Sequence, residues 1–132
     1  MSAKRILIVD DEEMIRELAK DYLQSKGYEV LIAEDGKKGL QEAQANKPDL
    51  IILDVNMPKM NGFQVLEKLK QDSETRGIPV LMLTDSQSGE DKRQGMECRA
   101  DKYLPKPFMP QALLEEIQKA LATRGPAKTP LI

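Results

Sequence analysis

Three short stretches of the chain, at positions 6–9, 50–53 and 80–83, consist entirely of hydrophobic residues. These runs are continuous and do not alternate with polar residues, which is typical of strands buried on both faces of a parallel sheet. Two weaker candidates for strands are found at 28–33 and 102–104. The pattern therefore predicts five strands.

Between these runs, hydrophobic residues recur at helical spacing. Gly27 is placed to end the first of these helices in the C-cap role. The predicted core positions are Ile15, Leu18, Ala19, Tyr22 and Leu23 in the first helix, Leu40 and Ala43 in residues 35–46, Val65, Leu66 and Leu69 after Asn61-Gly62, and Leu113, Leu114, Ile117, Ala120 and Leu121 in the last. Strand and helix alternate five times, which predicts a doubly wound α/β domain with right-handed crossovers.

The segment at 88–97 differs from the other predicted helices because only Met96 is a strong apolar contact there. We expect it to be the most loosely held helix of the domain. The 132 residues suffice for one domain. We place that domain at residues 1–124, followed by a flexible tail at 125–132 that contains two prolines.

Composition excludes several classes of function. The formal charge of −2 provides no general basic surface, which disfavours direct binding to nucleic acid. Cys98 is the only cysteine and histidine is absent, so an internal disulfide and a thiolate or imidazole metal site are excluded. The run at 6–9 is far shorter than a signal-peptide core or a membrane span. We therefore expect a soluble, cytoplasmic protein in which any metal is held by oxygen ligands.

Polar residues follow the predicted strands at their carboxyl ends, where ligands bind in open α/β sheets. Asp10 and Asp11 follow the first strand, Asp54 ends the third, Thr84 follows the fourth and Lys106 lies beyond the fifth. Three carboxylates so close together repel one another unless a cation intervenes, and Mg²⁺ with oxygen ligands is the natural candidate. A carboxylate, a metal, an ammonium and a hydroxyl are sufficient for phosphoryl transfer, with Asp54 as the nucleophile.

Each of these residues also has an ordinary structural explanation. Asp10 and Asp11 could simply begin and cap the first helix, and Asp54 could lie in a common strand-to-loop exit. Lys106 is exposed by default, and Thr84 could be a routine loop hydroxyl. Their agreement with the strand ends is what favours a site.

Longer motifs around these residues resemble the receiver domain of two-component response regulators over roughly residues 4–123, and the extent is similar to that of single-domain chemotaxis regulators. The motifs are Ile-Leu-Ile-Val-Asp-Asp-Glu-Glu at 6–13, Asp-Leu-Ile-Ile-Leu-Asp-Val-Asn-Met-Pro-Lys-Met-Asn-Gly at 49–62, Leu-Thr at 83–84 and Tyr-Leu-Pro-Lys-Pro-Phe at 103–108. The resemblance implies a flavodoxin-like (βα)5 fold with strand order 2-1-3-4-5. It also implies a phosphorylation-dependent switch, not a metabolic enzyme.

The resemblance further implies a role for each site residue. Asp54 would accept the phosphoryl group from a histidine kinase or a histidine phosphotransfer protein. Asp11 and Asp54 would ligate Mg²⁺ together with the main-chain carbonyl of Asn56, and Asp10 would act through water or as a weaker ligand. Lys106 would pair with the phosphoryl oxygens.

Similar domains transmit the signal through two further residues. Thr84 would turn its hydroxyl toward the phosphoryl group, and Tyr103 would move from an exposed to a buried rotamer. The changed surface would comprise the 88–97 helix, the strand of Tyr103 and the last helix, where an unknown downstream protein docks. The Lys106–Pro107 bond is expected to be cis. No membrane contact is expected, and the protein would be a monomer that can dimerise on activation.

Two departures from the family pattern keep a phosphorylation-independent adaptor open as an alternative. Asp85 replaces the usual small residue beside Thr84, and we expect its charge to slow phosphorylation or limit loop closure. Arg99 replaces a common glycine before the last strand. A second rival is a phosphatase of the haloacid-dehalogenase type, but that family places an aspartate two residues after its nucleophile, where this chain has Asn56.

Overall fold

A computed structural model describes residues 3–84 and 102–123 of the chain. Its strands are β1 (Arg5–Val9), β2 (Glu29–Ala33), β3 (Leu50–Asp54), β4 (Val80–Thr84) and β5 (Lys102–Pro105). Its helices are α1 (Glu13–Ser25), α2 (Gly36–Asn46), α3 (Gly62–Gln71) and α4 (Pro110–Thr123). The strands form one parallel sheet in the order β2-β1-β3-β4-β5, which confirms the predicted architecture and strand order.

Helices cover both faces of the sheet, so its central strands are buried on both sides. Successive side chains of a strand point to opposite faces. In β1, Leu7 and Val9 join the cluster packed by α2 and α3, whereas Ile6 and Ile8 join the cluster packed by α1 and α4. This two-sided burial explains why the strands are continuous hydrophobic runs.

The predicted core stripe of α1 is partly wrong. Ala19 and Leu23 are buried as expected, and Ile15 and Tyr22 pack partly against the same cluster. Leu18, however, is 46% exposed. Adjacent positions on a helix are separated by about 100°, so Leu18 lies on the flank of the stripe defined by its neighbours.

Local sequence signals fix several helix ends. The Asp35 side chain accepts a hydrogen bond from the Lys38 N–H at 2.8 Å and caps α2. At α3, Asn61 and Gln64 form a reciprocal capping box. Gly27 follows α1 with a φ of 95°, a conformation that glycine adopts without strain.

Some predictions concern residues outside the described ranges. These are the helix at 88–97, the effects of Asp85 and Arg99, and the tail at 125–132, and they stay predictions. Within residues 3–84 and 102–123, no helix is both long and apolar enough to cross a membrane.

Candidate functional site

The carboxyl ends of β1 and β3 bring three aspartates together. Asp54 is the last residue of β3, and Asp10 and Asp11 directly follow β1. Asp10 and Asp54 are almost completely buried, whereas Asp11 is exposed. One carboxylate oxygen from each lies within 4.8 Å of the other two. The structure thus assembles the acidic cluster that the strand-end positions predict.

Lys106, in the segment after β5, points its ammonium into this cluster. Its Nζ atom lies 3.2 Å from Asp54 Oδ1 and 3.2 Å from Asp10 Oδ2. A third contact, of 3.1 Å, joins Nζ to Glu12 Oε1. Only 8% of the Lys106 side chain is exposed, so these charges interact with little solvent between them.

Burial and mutual repulsion change the acidity of these groups. Loss of solvation, reinforced by the Asp10 charge, raises the pKa of Asp54 to about 7 even though Lys106 opposes the shift. Burial also raises the pKa of Asp10. For Lys106, burial acts to lower the pKa, but Asp54, Asp10 and Glu12 outweigh it and the pKa is raised. The Lys106 ammonium therefore stays charged beside these acidic groups.

The loop after β3 is held close to Asp54 by main-chain contacts. The Val55 N–H donates to the Leu83 carbonyl at 2.8 Å, and the Gly62 N–H donates to the Val55 carbonyl at 2.9 Å. A Cβ atom at Gly62 would lie only 2.3 Å from the Asp54 carbonyl oxygen. Glycine is therefore required where α3 begins, directly behind the aspartate.

Asn56 is the second residue of this loop and is exposed. Its N–H lies 3.3 Å from Asp54 Oδ1 and donates to it, which orients the carboxylate. Further along, Lys59 has a φ of 70° and the Met60 N–H donates to the Pro58 carbonyl. This is a tight three-residue turn of a kind that is strained for a non-glycine residue.

The other predicted site residues flank the cluster. Thr84 ends β4 with 2% of its surface exposed, and its carbonyl accepts a hydrogen bond from the Lys106 N–H at 2.8 Å. Tyr103, in β5, is partly buried and packs against the hydrophobic core on the α2 and α3 side of the sheet. The Lys106–Pro107 bond is cis, as predicted.

Sequence reasoning missed two residues that contact the site. Glu12 lay within the quoted 6–13 motif but received no role, because an acidic residue at a helix start has an ordinary explanation. Arg16 donates from its guanidinium to the Asp10 carbonyl at 2.8 Å. Its position one turn into α1 carries no pattern that would have identified it.

The donor set fits a hard divalent cation. Asp10 Oδ2 is buried and accepts no hydrogen bond within the described part of the chain, although the Lys106 ammonium is near. A buried carboxylate oxygen without a hydrogen-bond donor destabilises the fold unless a cation or a bound water interacts with it. Asp10, Asp11 and Asp54 supply only oxygen atoms, which Mg²⁺ prefers.

The structure is thus an α/β domain whose parallel strands carry a buried aspartate, two further acidic residues and a lysine at their carboxyl ends. The sequence profile of the response regulator receiver domain matches residues 6–118. The chain therefore belongs to the response regulator receiver family, whose members are the phosphorylation-dependent switches of two-component systems.

Curated relatives agree with this assignment. The alkaline phosphatase synthesis transcriptional regulatory protein PhoP of Bacillus subtilis is 42% identical over 96% of this chain and 52% of its own length. The phosphate regulon transcriptional regulatory protein PhoB of Pseudomonas aeruginosa is 41% identical over 96% of this chain and 55% of its own length. The chain thus spans about half the length of these relatives.

Solved structures show the same domain. The chemotaxis protein CheY4 of Vibrio cholerae is 40% identical with a TM-score of 0.87, over 90% of this chain and 99% of that one. A CheY-like receiver domain protein from Methanospirillum hungatei is 36% identical with a TM-score of 0.88, over 93% and 97% of the two chains. Both similarities extend over at least 90% of this chain.

Proposed function

We propose that this domain accepts a phosphoryl group on Asp54 from a histidine kinase or a histidine phosphotransfer protein. The observation that carries the proposal is the buried Asp54 carboxylate, 3.2 Å from the Lys106 ammonium and grouped with Asp10 and Asp11. Residues 1–132 contain no histidine, so a phosphohistidine donor would have to lie outside this domain.

In the proposed reaction, an Asp54 oxygen attacks the phosphorus of the donor. The bond from phosphorus to the donor's imidazole nitrogen breaks, and that nitrogen leaves with the electron pair. An acyl phosphate forms at Asp54 and no oxidant or reductant is needed. A low-dielectric pocket favours this step because it strengthens the attraction between the lysine and the charge on the transferred group.

Lys106 would neutralise phosphoryl oxygens, since its ammonium already lies within 3.2 Å of the acceptor carboxylate. Asp11 and Asp54, with the Asn56 carbonyl, would hold Mg²⁺, and Asp10 would act through water or as a weaker ligand. When bound, Mg²⁺ supplies positive charge to the phosphoryl oxygens. Because the pKa of Asp54 is raised, this charge also keeps the acceptor ionised.

Thr84 and Tyr103 would couple the site to a partner surface. Thr84 is the last residue of β4, which pairs with the strand that carries Asp54. In this pairing Leu83, the residue before Thr84, lies opposite Asp54. Tyr103 lies one strand further out and is only partly buried, which leaves it room to change rotamer. The downstream target is a protein that recognises the altered surface, and the charge of −2 argues against direct contact with nucleic acid.

These roles fit a particular cellular setting, which we also propose. We place it in the cytoplasm, where histidine kinases present their phosphorylated domains, as a monomer that can dimerise on activation. It would assist its own phosphorylation and the hydrolysis of its own acyl phosphate, as a switch and not a metabolic enzyme.

The test is incubation with Mg²⁺ and acetyl phosphate followed by intact-mass measurement of the wild type and Asp54→Ala. We expect the wild type alone to gain one phosphoryl group. No gain in either protein, with Mg²⁺ bound, would favour the phosphorylation-independent adaptor.

A further inference from the structure

Among the described residues, three carboxylates contact the Lys106 ammonium, and they differ in burial. Asp10 and Asp54 are buried at the strand ends, whereas the Glu12 side chain is 58% exposed. One oxygen of each carboxylate lies 3.1–3.2 Å from Nζ, so together they surround the ammonium where phosphoryl oxygens would have to approach it. Of these three contacts, that with Glu12 is the one that can be released into solvent.

Glu12 is turned toward Lys106 and away from the helix that it begins. It occupies the N-cap position of α1, but its side chain makes no capping hydrogen bond to the first turn. Its main-chain N–H donates to Asp10 Oδ1 at 3.0 Å, which fixes the residue beside the acidic cluster. The carboxylate is therefore held where it can meet the lysine.

We propose that Glu12 is a positioning residue that competes with the phosphoryl group for Lys106 and thereby limits the rate at which Asp54 is phosphorylated. This inference rests on the proposed function of Asp54. Two effects act in the same direction. Glu12 occupies part of the ammonium's donor capacity, and its negative charge repels the incoming phosphoryl dianion.

The size of the effect follows from the exposure of Glu12. Removing an ion pair that has a well-solvated partner changes an equilibrium or rate constant by roughly two- to fivefold. Exposed charges are also screened by salt. We therefore expect Glu12→Gln to be phosphorylated about two- to fivefold faster than the wild type at low ionic strength, with the ratio approaching one at high salt.

Glu13→Gln is the matched control. Glu13 is the next residue, is exposed in the first turn of α1, and loses the same charge in the same substitution. Its side chain is not among the described contacts of Lys106. A general change in the field around the site would accelerate both variants equally, whereas release of Lys106 would accelerate only Glu12→Gln.

The experiment follows the mass of each protein during reaction with acetyl phosphate at saturating Mg²⁺, at low and high salt. A second readout needs no metal, namely the NMR chemical shift of the Lys106 ε-methylene in Mg²⁺-free protein. We expect that signal to move in Glu12→Gln and to stay in place in Glu13→Gln.

A salt-dependent acceleration confined to Glu12→Gln, with the shift of the Lys106 signal, would support the competition. Equal rates in the two variants, or slower phosphorylation of Glu12→Gln, would overturn it. If the wild type itself gained no phosphoryl group on Asp54, the proposed function would fail first. The two failures are therefore distinguishable.

Discussion

Replacing Asp54 with asparagine should stabilise the metal-free protein, although it removes the proposed acceptor. In the folded protein, burial and the Asp10 charge raise the pKa of Asp54 to about 7, from 3.8. A group with a raised folded pKa favours folding only while it is protonated. The contribution of Asp54 to the free energy of unfolding is therefore complete below about pH 3.8 and is lost as pH rises through about 7.

The magnitude follows from that difference of about three pKa units. One unit corresponds to about 1.4 kcal/mol, so ionised Asp54 costs the folded state at most about 4 kcal/mol at alkaline pH. Asparagine has nearly the same shape and carries no charge. The stability advantage of Asp54→Asn over the wild type should thus grow by roughly 2–3 kcal/mol between pH 5 and pH 8.5.

The assay is urea unfolding of both proteins in EDTA at several pH values, with Asp21→Asn, an exposed carboxylate on α1, as the control. Saturating Mg²⁺ should stabilise the wild type and reduce the difference in unfolding free energy between it and Asp54→Asn, because a bound cation compensates the buried charge. If Asp54→Asn were no more stable than the wild type at pH 8.5 without metal, the electrostatic reasoning about this site would be refuted.

Three further substitutions test the neighbouring contacts. Gly62→Ala should lower the free energy of unfolding by about 1–3 kcal/mol, because its Cβ would collide with the Asp54 carbonyl. In the control Gly77→Ala the new Cβ meets nothing within 4 Å, so stability should hardly change, and equal urea midpoints for the two variants would contradict this. Lys106→Met should cost about 3–5 kcal/mol at pH 8 without metal, and adding Asp54→Asn should recover part of the loss in a double-mutant cycle. Asn61→Ala removes the capping box of α3 and should lower stability by about 1 kcal/mol in urea unfolding, so an unchanged midpoint would argue against the cap.

The sheet was predictable because burial on both faces leaves little freedom in strand composition. Residues 50–53 and 80–83 read as strands without any tertiary information. The end of β3 then located Asp54, since parallel strands present their carboxyl ends at one edge. The acidic cluster could therefore be placed from the positions of the strands alone.

Other features depend on geometry that periodicity does not carry. Leu18 is hydrophobic and near the helical stripe, yet it lies on the exposed flank of α1. The contact of Glu12 with Lys106 joins residues 94 positions apart and depends on where two loops meet. The need for glycine at position 62 likewise appears only when α3 is packed against the Asp54 backbone.

The most direct test of the central claim is to locate the phosphoryl group. The protein would be phosphorylated with acetyl phosphate and Mg²⁺, reduced with borohydride, which converts a phosphorylated aspartate to homoserine, and digested for peptide mass spectrometry. We predict homoserine at position 54 alone. Reduction at Asp10 or Asp11 instead, or no reduced residue in protein that has gained the phosphoryl mass, would contradict the assignment of Asp54 as the acceptor.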